Sequence, residues 1–77
     1  MNKIRKIILG KEPTRDAMHY EVGQSVVRGK YAIDSIMEDN EKETIIIYII
    51  DKNKQEIMKW KEISKNTAWI VEFSQDI

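Results

Sequence analysis

The sequence predicts an all-β fold, a small antiparallel meander, barrel-like or sandwich domain of five to six short strands. Two observations predict it. β-Branched and aromatic residues gather in short runs, and polar or glycine-containing turns separate the runs at intervals of about ten residues. Since 77 residues is the length of one small domain, we expect residues 1–77 to form a single β domain.

The N-terminal part predicts three extended segments around a loop. Residues 3–9 are rich in isoleucine and form the first predicted strand, although their spacing also fits one helical turn. A proline and a glycine favour a loop over residues 10–17. Residues 18–22 and 25–28 are the next two extended segments, and Gly23 between them indicates a bend or a bulge.

Residues 31–74 predict three consecutive hairpins. Polar residues separate their four apolar segments, and Asp, Asn and Ser favour turns because they bond their own backbone. Neighbouring strands in sequence usually pair, so this part is expected to form an antiparallel meander. The four predicted strands span residues 31–37, 44–50, 55–63 and 67–73.

The strand over residues 44–50 is apolar on both faces. A half-solvated antiparallel strand alternates apolar and polar residues, and a chain this short has little to cover a second face. We therefore expect a homo-oligomer, or a partner, to cover it. In the last strand, Trp69 shares its predicted face with Val71 and Phe73, and we expect Trp69 in the core.

Composition excludes several classes of function. Thirteen basic residues balance thirteen acidic ones, which argues against a nucleic-acid coat or a polybasic membrane binder. Cysteine is absent and His19 is the only histidine, so a thiol nucleophile and a multi-histidine metal site are excluded. With no phosphate loop or serine elbow, we predict a non-enzyme without cofactor or metal, and His19 as a hydrogen-bonded strand residue rather than a catalyst.

Two further features bear on ions and location. The carboxylates of residues 38–43 offer oxygen ligands, but their spacing matches no cation-binding loop, so a solvated turn is expected. The longest apolar run, residues 45–50, is far shorter than the roughly 20 residues that span a bilayer. No signal peptide is recognisable. We expect a cytoplasmic protein with no membrane contact.

The charge is patterned along the chain although it sums to zero. Residues 1–30 carry seven basic and three acidic groups, residues 31–51 one and six, and residues 52–65 five and two. Cross-strand pairing and solubility account for such alternation. The other interpretation is a local positive patch around Lys52, Lys54, Lys59 and Lys61.

Cations and aromatic rings interleave in two places, around Gly29 and around Trp60. Such a combination can hold a phosphate while a ring stacks on a base. Alternation places Trp60 opposite its two flanking lysines, so one shared site requires a bulge near Trp60 or a second subunit. The alternative is a core tryptophan with solvent-facing lysines. The candidate ligand-binding residues are Arg28, Lys30, Tyr31, Lys59, Trp60, Lys61 and His19.

Three short motifs, Met-His-Tyr-Glu-Val-Gly-Gln at 18–24, Gly-Lys-Tyr at 29–31 and Lys-Trp-Lys-Glu at 59–62, carry a resemblance. The chain resembles small accessory proteins of phages and prophages of Gram-positive bacteria. This resemblance implies a counter-defence factor in the host cytoplasm. Such a factor sequesters a cyclic-nucleotide immune signal or binds a host defence protein. The alternative is a small SH3-like or OB-like β-barrel module that contacts nucleic acid.

Overall fold

The computed structural model describes residues 2–10 and 18–74, and in these residues every regular element except one short 3₁₀ turn is a β-strand. The predicted all-β class is confirmed. The structure has seven strands rather than five to six, because the predicted extended segments over residues 18–22 and 25–28 each form a short strand, of three and two residues. The predicted loop beyond Gly10 lies outside the described residues. The strands are β1 (Asn2–Leu9), β2 (His19–Glu21), β3 (Ser25–Val26), β4 (Tyr31–Asp39), β5 (Thr44–Asp51), β6 (Ile57–Ser64) and β7 (Ala68–Phe73), and the 3₁₀ turn is Lys65–Thr67.

All seven strands belong to one antiparallel sheet. β4, β5 and β6 follow one another as hairpins, and β1 pairs with β4. Ile4 pairs with both Ile36 and Phe73, which places β4 and β7 on opposite edges of β1. β2 lies on the same edge of β1 as β4, and β3 pairs with the start of β4. No pairing joins β6 to β7 in the described part of the chain, so the sheet is open between these two terminal strands.

The sheet curls so strongly that its two ends share one core. Three strands separate β7 from β6 in the strand order, yet Ile70 of β7 and Ile63 of β6 both pack against the same buried cluster. Tyr20 of β2 and Trp60 of β6 meet edge to face, with ring centroids 5.6 Å apart. A right-handed twist and local bulges provide this curvature. The result is a barrel-like domain with one open seam.

Isoleucine dominates the core because its branched side chain fills a pleated, two-sided apolar interior. The inward residues of β1, β4 and β5 lie opposite one another, and β2 and β3 add one residue each. Burying side chains of this size stabilises the fold by about 1.5–3 kcal/mol apiece. The buried cluster consists of Ile4, Ile7, Tyr20, Val26, Ile33, Ile36, Ile45, Ile47 and Ile49.

The second face of β5 is largely covered by the chain itself. Ile46 points away from the core and is only 7% exposed, because it lies between Met37 of β4 and Glu62 of β6. Tyr48 and Ile50 on the same face are half-buried. The burial of Ile46 therefore needs no second subunit, and the homo-oligomer stays a prediction.

Bulges interrupt the strict alternation that the sequence suggests. The register shifts at Asp34 in β4 and at Trp60 in β6, and each shift exchanges the two faces of the strand beyond it. The expectation for the last strand is wrong. Ala68 and Ile70 point inward opposite Leu9 and Ile7, and Trp69 is left 46% exposed.

Candidate functional site

Two turns carrying four cations lie side by side at one end of the sheet. One connects β3 to β4 over residues 27–30, and the other connects β5 to β6 over residues 51–55. The Lys52 N–H donates to the carbonyl oxygen of Lys30 at 3.1 Å, and Lys52 Nζ donates to Ser25 Oγ at 2.8 Å. We call these turns, with Arg28, Lys30, Lys52 and Lys54, the basic turn pair.

Asp51 fixes the backbone of the second turn. Its carboxylate accepts hydrogen bonds from the N–H of Asn53 at 2.8 Å and of Lys54 at 3.0 Å. These two hydrogen bonds hold the pKa of Asp51 below its ordinary value, and the bond from Lys54 has the largest effect. The charges of Lys54 and Lys30 also lower this pKa. The carboxylate is thus ionised and bonded to its own turn, and the side chains of Lys52 and Lys54 are exposed.

The first turn has an unusual backbone for its sequence. Val27 and Arg28 have φ angles of 53° and 55°, and Gly29 follows at 87°. The Gly29 N–H donates to the carbonyl oxygen of Val26 at 3.2 Å, which makes a type I′ turn, normally occupied by Asn-Gly. A β-branched residue in the left-handed region costs about 1–2 kcal/mol. Strained backbone of this kind concentrates at functional sites.

The cations of the basic turn pair are not neutralised by ion pairs within 4.0 Å in residues 2–10 and 18–74. Elsewhere several cations have a carboxylate partner, for example Arg5 with Glu72 and Lys6 with Glu21. The two turns and the following residue carry four cations and two carboxylates, Asp51 and Glu56, in a chain whose net charge is zero. This end of the molecule is therefore a local positive surface.

The Lys59–Trp60–Lys61 motif does not form one cluster. Lys59 lies opposite Tyr48 and Lys61 opposite Ile47, so the two lysines point to opposite faces and Trp60 is the extra residue of a bulge. Lys59 Nζ pairs with Glu62 at 3.1 Å, and this hydrogen bond lowers the pKa of Glu62.

Lys61 and Trp60 are brought together by the same bulge. Lys61 Nζ lies 4.8 Å from the centroid of the Trp60 ring, a cation–π contact. Tyr20 packs against the ring from another direction. Since both contacts occupy a half-buried ring, Trp60 is not an open platform on which a base would stack.

The motif lies on a terminal strand, which explains its composition. In the described residues β6 has a free edge, and lysines and bulges are the features that discourage another strand from pairing at such an edge. Lys59 and Lys61 flank the bulge at Trp60 in the middle of this strand. The composition of the motif therefore fits the edge of a sheet.

Tyr31 and His19 occupy different surroundings. Tyr31 opens β4 directly after the first basic turn, lies opposite Asp51 and packs half-buried against the core. His19 is exposed on β2 and lines an open cavity of about 500 Å³ with Lys6 and Glu21, whose side chains pair at 4.0 Å. None of the four basic-turn cations lines that cavity.

The acidic segment over residues 38–43 holds a lysine of the same chain. Lys65 Nζ lies 2.9 Å from the buried carboxylate of Glu38 and 3.8 Å from Glu43, and it donates to Asn40 Oδ1 at 2.7 Å. The hydrogen bond to Glu38 raises the pKa of Lys65. No group of three potential metal-ligating side chains occurs among the described residues.

Sequence reasoning singled out Arg28 and Lys30 but did not join them to Lys52 and Lys54. The missing signal is the hairpin register. Once Tyr31 is paired with Asp51, the residues that precede and follow them become neighbours.

No family model, curated protein or solved structure matches the chain. In the described residues, no helix is long and apolar enough to cross a membrane.

Proposed function

We propose that this chain is a non-enzymatic binding protein, and that it engages an anionic group of a host component through the basic turn pair. The observation that carries the proposal is the set of four cations on two mutually bonded turns, without a carboxylate partner within 4.0 Å in the described residues. Arginine grips a phosphate or carboxylate with two parallel hydrogen bonds, and lysine supplies a point charge.

The resemblance to phage accessory proteins supplies the biological context. We propose that binding blocks a host defence pathway in the host cytoplasm. The block takes one of two forms, sequestration of a cyclic-nucleotide signal or occupation of a host defence protein. In both forms the target presents anionic groups to the same cations. A fixed backbone favours either form because the binding groups are ordered before the ligand arrives.

The test compares two double variants of equal charge change. Arg28→Ala with Lys52→Ala removes one cation from each basic turn, and Lys3→Ala with Lys42→Ala removes two exposed lysines elsewhere. Native mass spectrometry on protein purified from host cells reports any bound nucleotide or host protein. Titration with cyclic dinucleotides and trinucleotides then measures affinity.

We expect the basic-turn variant to lose at least about tenfold in affinity, since one charged hydrogen bond contributes roughly 1.5–3 kcal/mol. The control variant should bind like the parent, and both should keep the parent's melting temperature. Equal binding by all three proteins would overturn the proposal.

A nucleic-acid module is the second candidate. A small, strongly curled sheet with cations at one end is a surface that single strands can follow, as in OB-like and SH3-like barrels. This candidate predicts a gel shift of single-stranded DNA whose affinity falls steeply with salt. A protein that binds cyclic nucleotides or a host protein but gives no such shift would exclude it.

A further inference from the structure

The hydroxyl group of Ser25 links the two turns of the basic turn pair. Lys52 Nζ donates to Ser25 Oγ at 2.8 Å, and the Lys52 N–H donates to the carbonyl oxygen of Lys30 at 3.1 Å. The backbone and the side chain of one lysine therefore both bond the β3–β4 hairpin, which holds the ammonium group beside the first turn. Ser25 is a neutral partner, and no carboxylate lies within 4.0 Å of Lys52 Nζ in the described residues. The positive charge is thus positioned without being cancelled.

This pair of side chains has hydrogen-bond donors to spare. An ammonium group has three N–H donors and a hydroxyl group has one O–H donor. Lys52 Nζ uses one donor on Ser25 Oγ, and because this oxygen accepts the bond, the Ser25 proton stays available. In residues 2–10 and 18–74 neither side chain makes another hydrogen bond. A charged and a neutral donor therefore lie side by side, which is the arrangement that an oxyanion bridges.

Gly29 keeps the approach to the Ser25 hydroxyl clear of side chains from the first turn. A Cβ placed on Gly29 would lie 3.9 Å from Ser25 Oγ, so a longer side chain in this position would start in contact with the hydroxyl. The φ of 87° also favours glycine, because this is the left-handed region. Arg28 and Lys30 precede and follow the glycine, and they add two cations to the same turn.

We infer that Ser25 and Lys52 form the centre of a phosphate site within the basic turn pair, with Ser25 as the residue that selects phosphate over carboxylate. The oxygens of a phosphate group point to the corners of a tetrahedron, so they can meet a hydroxyl, an ammonium and a guanidinium group that come from two turns. A carboxylate has two oxygens in one plane and leaves part of such a donor set unpaired. The inference rests on the proposed function and names the class of anion.

The experiment separates the hydroxyl from the charge. Ser25→Ala removes the hydroxyl and leaves all four cations in place, Ser25→Thr keeps a hydroxyl, and Ser74→Ala is the matched control. Ser74 follows β7, and its N–H donates to the carbonyl oxygen of Lys3, which pairs with Met37 at the other end of β4. Affinities of the full-length chain for inorganic phosphate and for acetate are measured at constant ionic strength from backbone amide shifts in NMR titrations.

We expect the parent to bind phosphate at least about tenfold more tightly than acetate, because phosphate carries more charge and uses more of the donors. Ser25→Ala should lose about tenfold in phosphate affinity, the usual effect of one hydrogen bond to a charged group. Ser25→Thr and Ser74→Ala should stay within about twofold of the parent. All three variants should keep the parent's melting temperature, because the replaced hydroxyl groups lie outside the buried cluster.

Two larger probes compare the sources of a phosphate group. One is a cyclic dinucleotide, and the other is a peptide with a single phosphoserine. At least one of them should bind the parent more tightly than inorganic phosphate does, and it should lose this gain in Ser25→Ala. If neither probe does so, the site does not recognise phosphate in a larger ligand and the inference fails.

Two further outcomes overturn the inference. Equal phosphate affinity of Ser25→Ala and Ser74→Ala would leave the hydroxyl with a structural role alone, and acetate binding as tight as phosphate binding would assign the surface to carboxylates. Failure of the proposed function looks different. In that case Arg28→Ala with Lys52→Ala would leave the affinity for both anions unchanged.

Discussion

Val27 occupies a backbone conformation that its side chain opposes, and this gives a direct test at the level of one residue. Replacing Val27 with glycine removes the clash between the branched Cβ and the left-handed backbone at φ 53°. We expect Val27→Gly to raise the free energy of unfolding by about 1 kcal/mol, a net value after the entropy cost of glycine. In a domain of this size the melting temperature should rise by roughly 4–8 °C.

Val22 provides the matched control. It is also an exposed valine in a turn, but its φ is not positive. Val22→Gly should therefore lower the melting temperature or leave it unchanged. A fall in stability for Val27→Gly equal to that of the control would contradict the claim that the first basic turn is strained.

Individual residues also show what the sequence could and could not provide. Arg28 and Lys30 were predictable as candidates because they flank a glycine and precede an aromatic residue. The strained backbone of this turn was not predictable, since Val-Arg carries no signal for a type I′ turn. The strands on either side impose the conformation. Lys52 joined them only through the register of β4 and β5.

The connection from β6 to β7 depends on an ion pair at one end of the sheet. Lys65 belongs to the 3₁₀ turn and bonds the buried carboxylate of Glu38 in β4. Lys65→Met would remove the ammonium group that pairs with that carboxylate, and losing an opposite charge beside a buried carboxylate is costly. We expect this substitution to lower the denaturation midpoint clearly more than Lys59→Met does, since the Lys59–Glu62 pair lies at the surface.

The pH profile provides a second readout for the Lys65 prediction. The pKa of Lys65 is raised in the folded state, so its contribution is present below its unfolded pKa and is lost as the pH rises through the folded value. Denaturation of the parent between neutral and strongly alkaline pH should show this loss, and Lys65→Met should lose less stability over the same interval. An equal alkaline loss in both proteins would refute the role of the pair.

The elements themselves were largely predictable, but their faces were not. The segments rich in β-branched residues became strands with bounds close to those expected, because the polar turns between them are strong signals. A bulge leaves no comparable mark in the sequence. The extra residues at Asp34 and Trp60 exchange inside and outside. Strict alternation along the chain put Lys59 and Lys61 on one face, whereas the bulge puts them on opposite faces.

On the scale of the whole molecule, the apolar surface that remains exposed lies mainly away from β5. Trp69, Val71 and Phe73 of β7 are each close to half-exposed, and β7 has a free edge in the described residues. We expect the homo-oligomer to form through β7. Sedimentation velocity at low and high micromolar concentration should show association of the parent, and Trp69→Lys should abolish it because it places a charge in the interface.

The control for this assembly prediction is Ile57→Lys, which adds the same charge at the other free edge and should leave association intact. A parent that sediments as a monomer throughout, or a Trp69→Lys variant that still associates, would contradict the role of β7. The expectation from sequence placed the interface on β5 because it assumed that one chain could not cover both faces of that strand, whereas Ile46 on its second face is buried within the chain.

The lysines and the bulge on β6, which discourage strand pairing, limit how far such assembly can proceed. If β7 of one copy added to β6 of the next, each new subunit would offer another free strand, and growth would continue head to tail into a filament. Lys59, Lys61 and the bulge at Trp60 make β6 a poor acceptor. The two-fold contact of β7 with β7 that we expect would use both apolar edges at once. Polymerisation would then stop at the dimer.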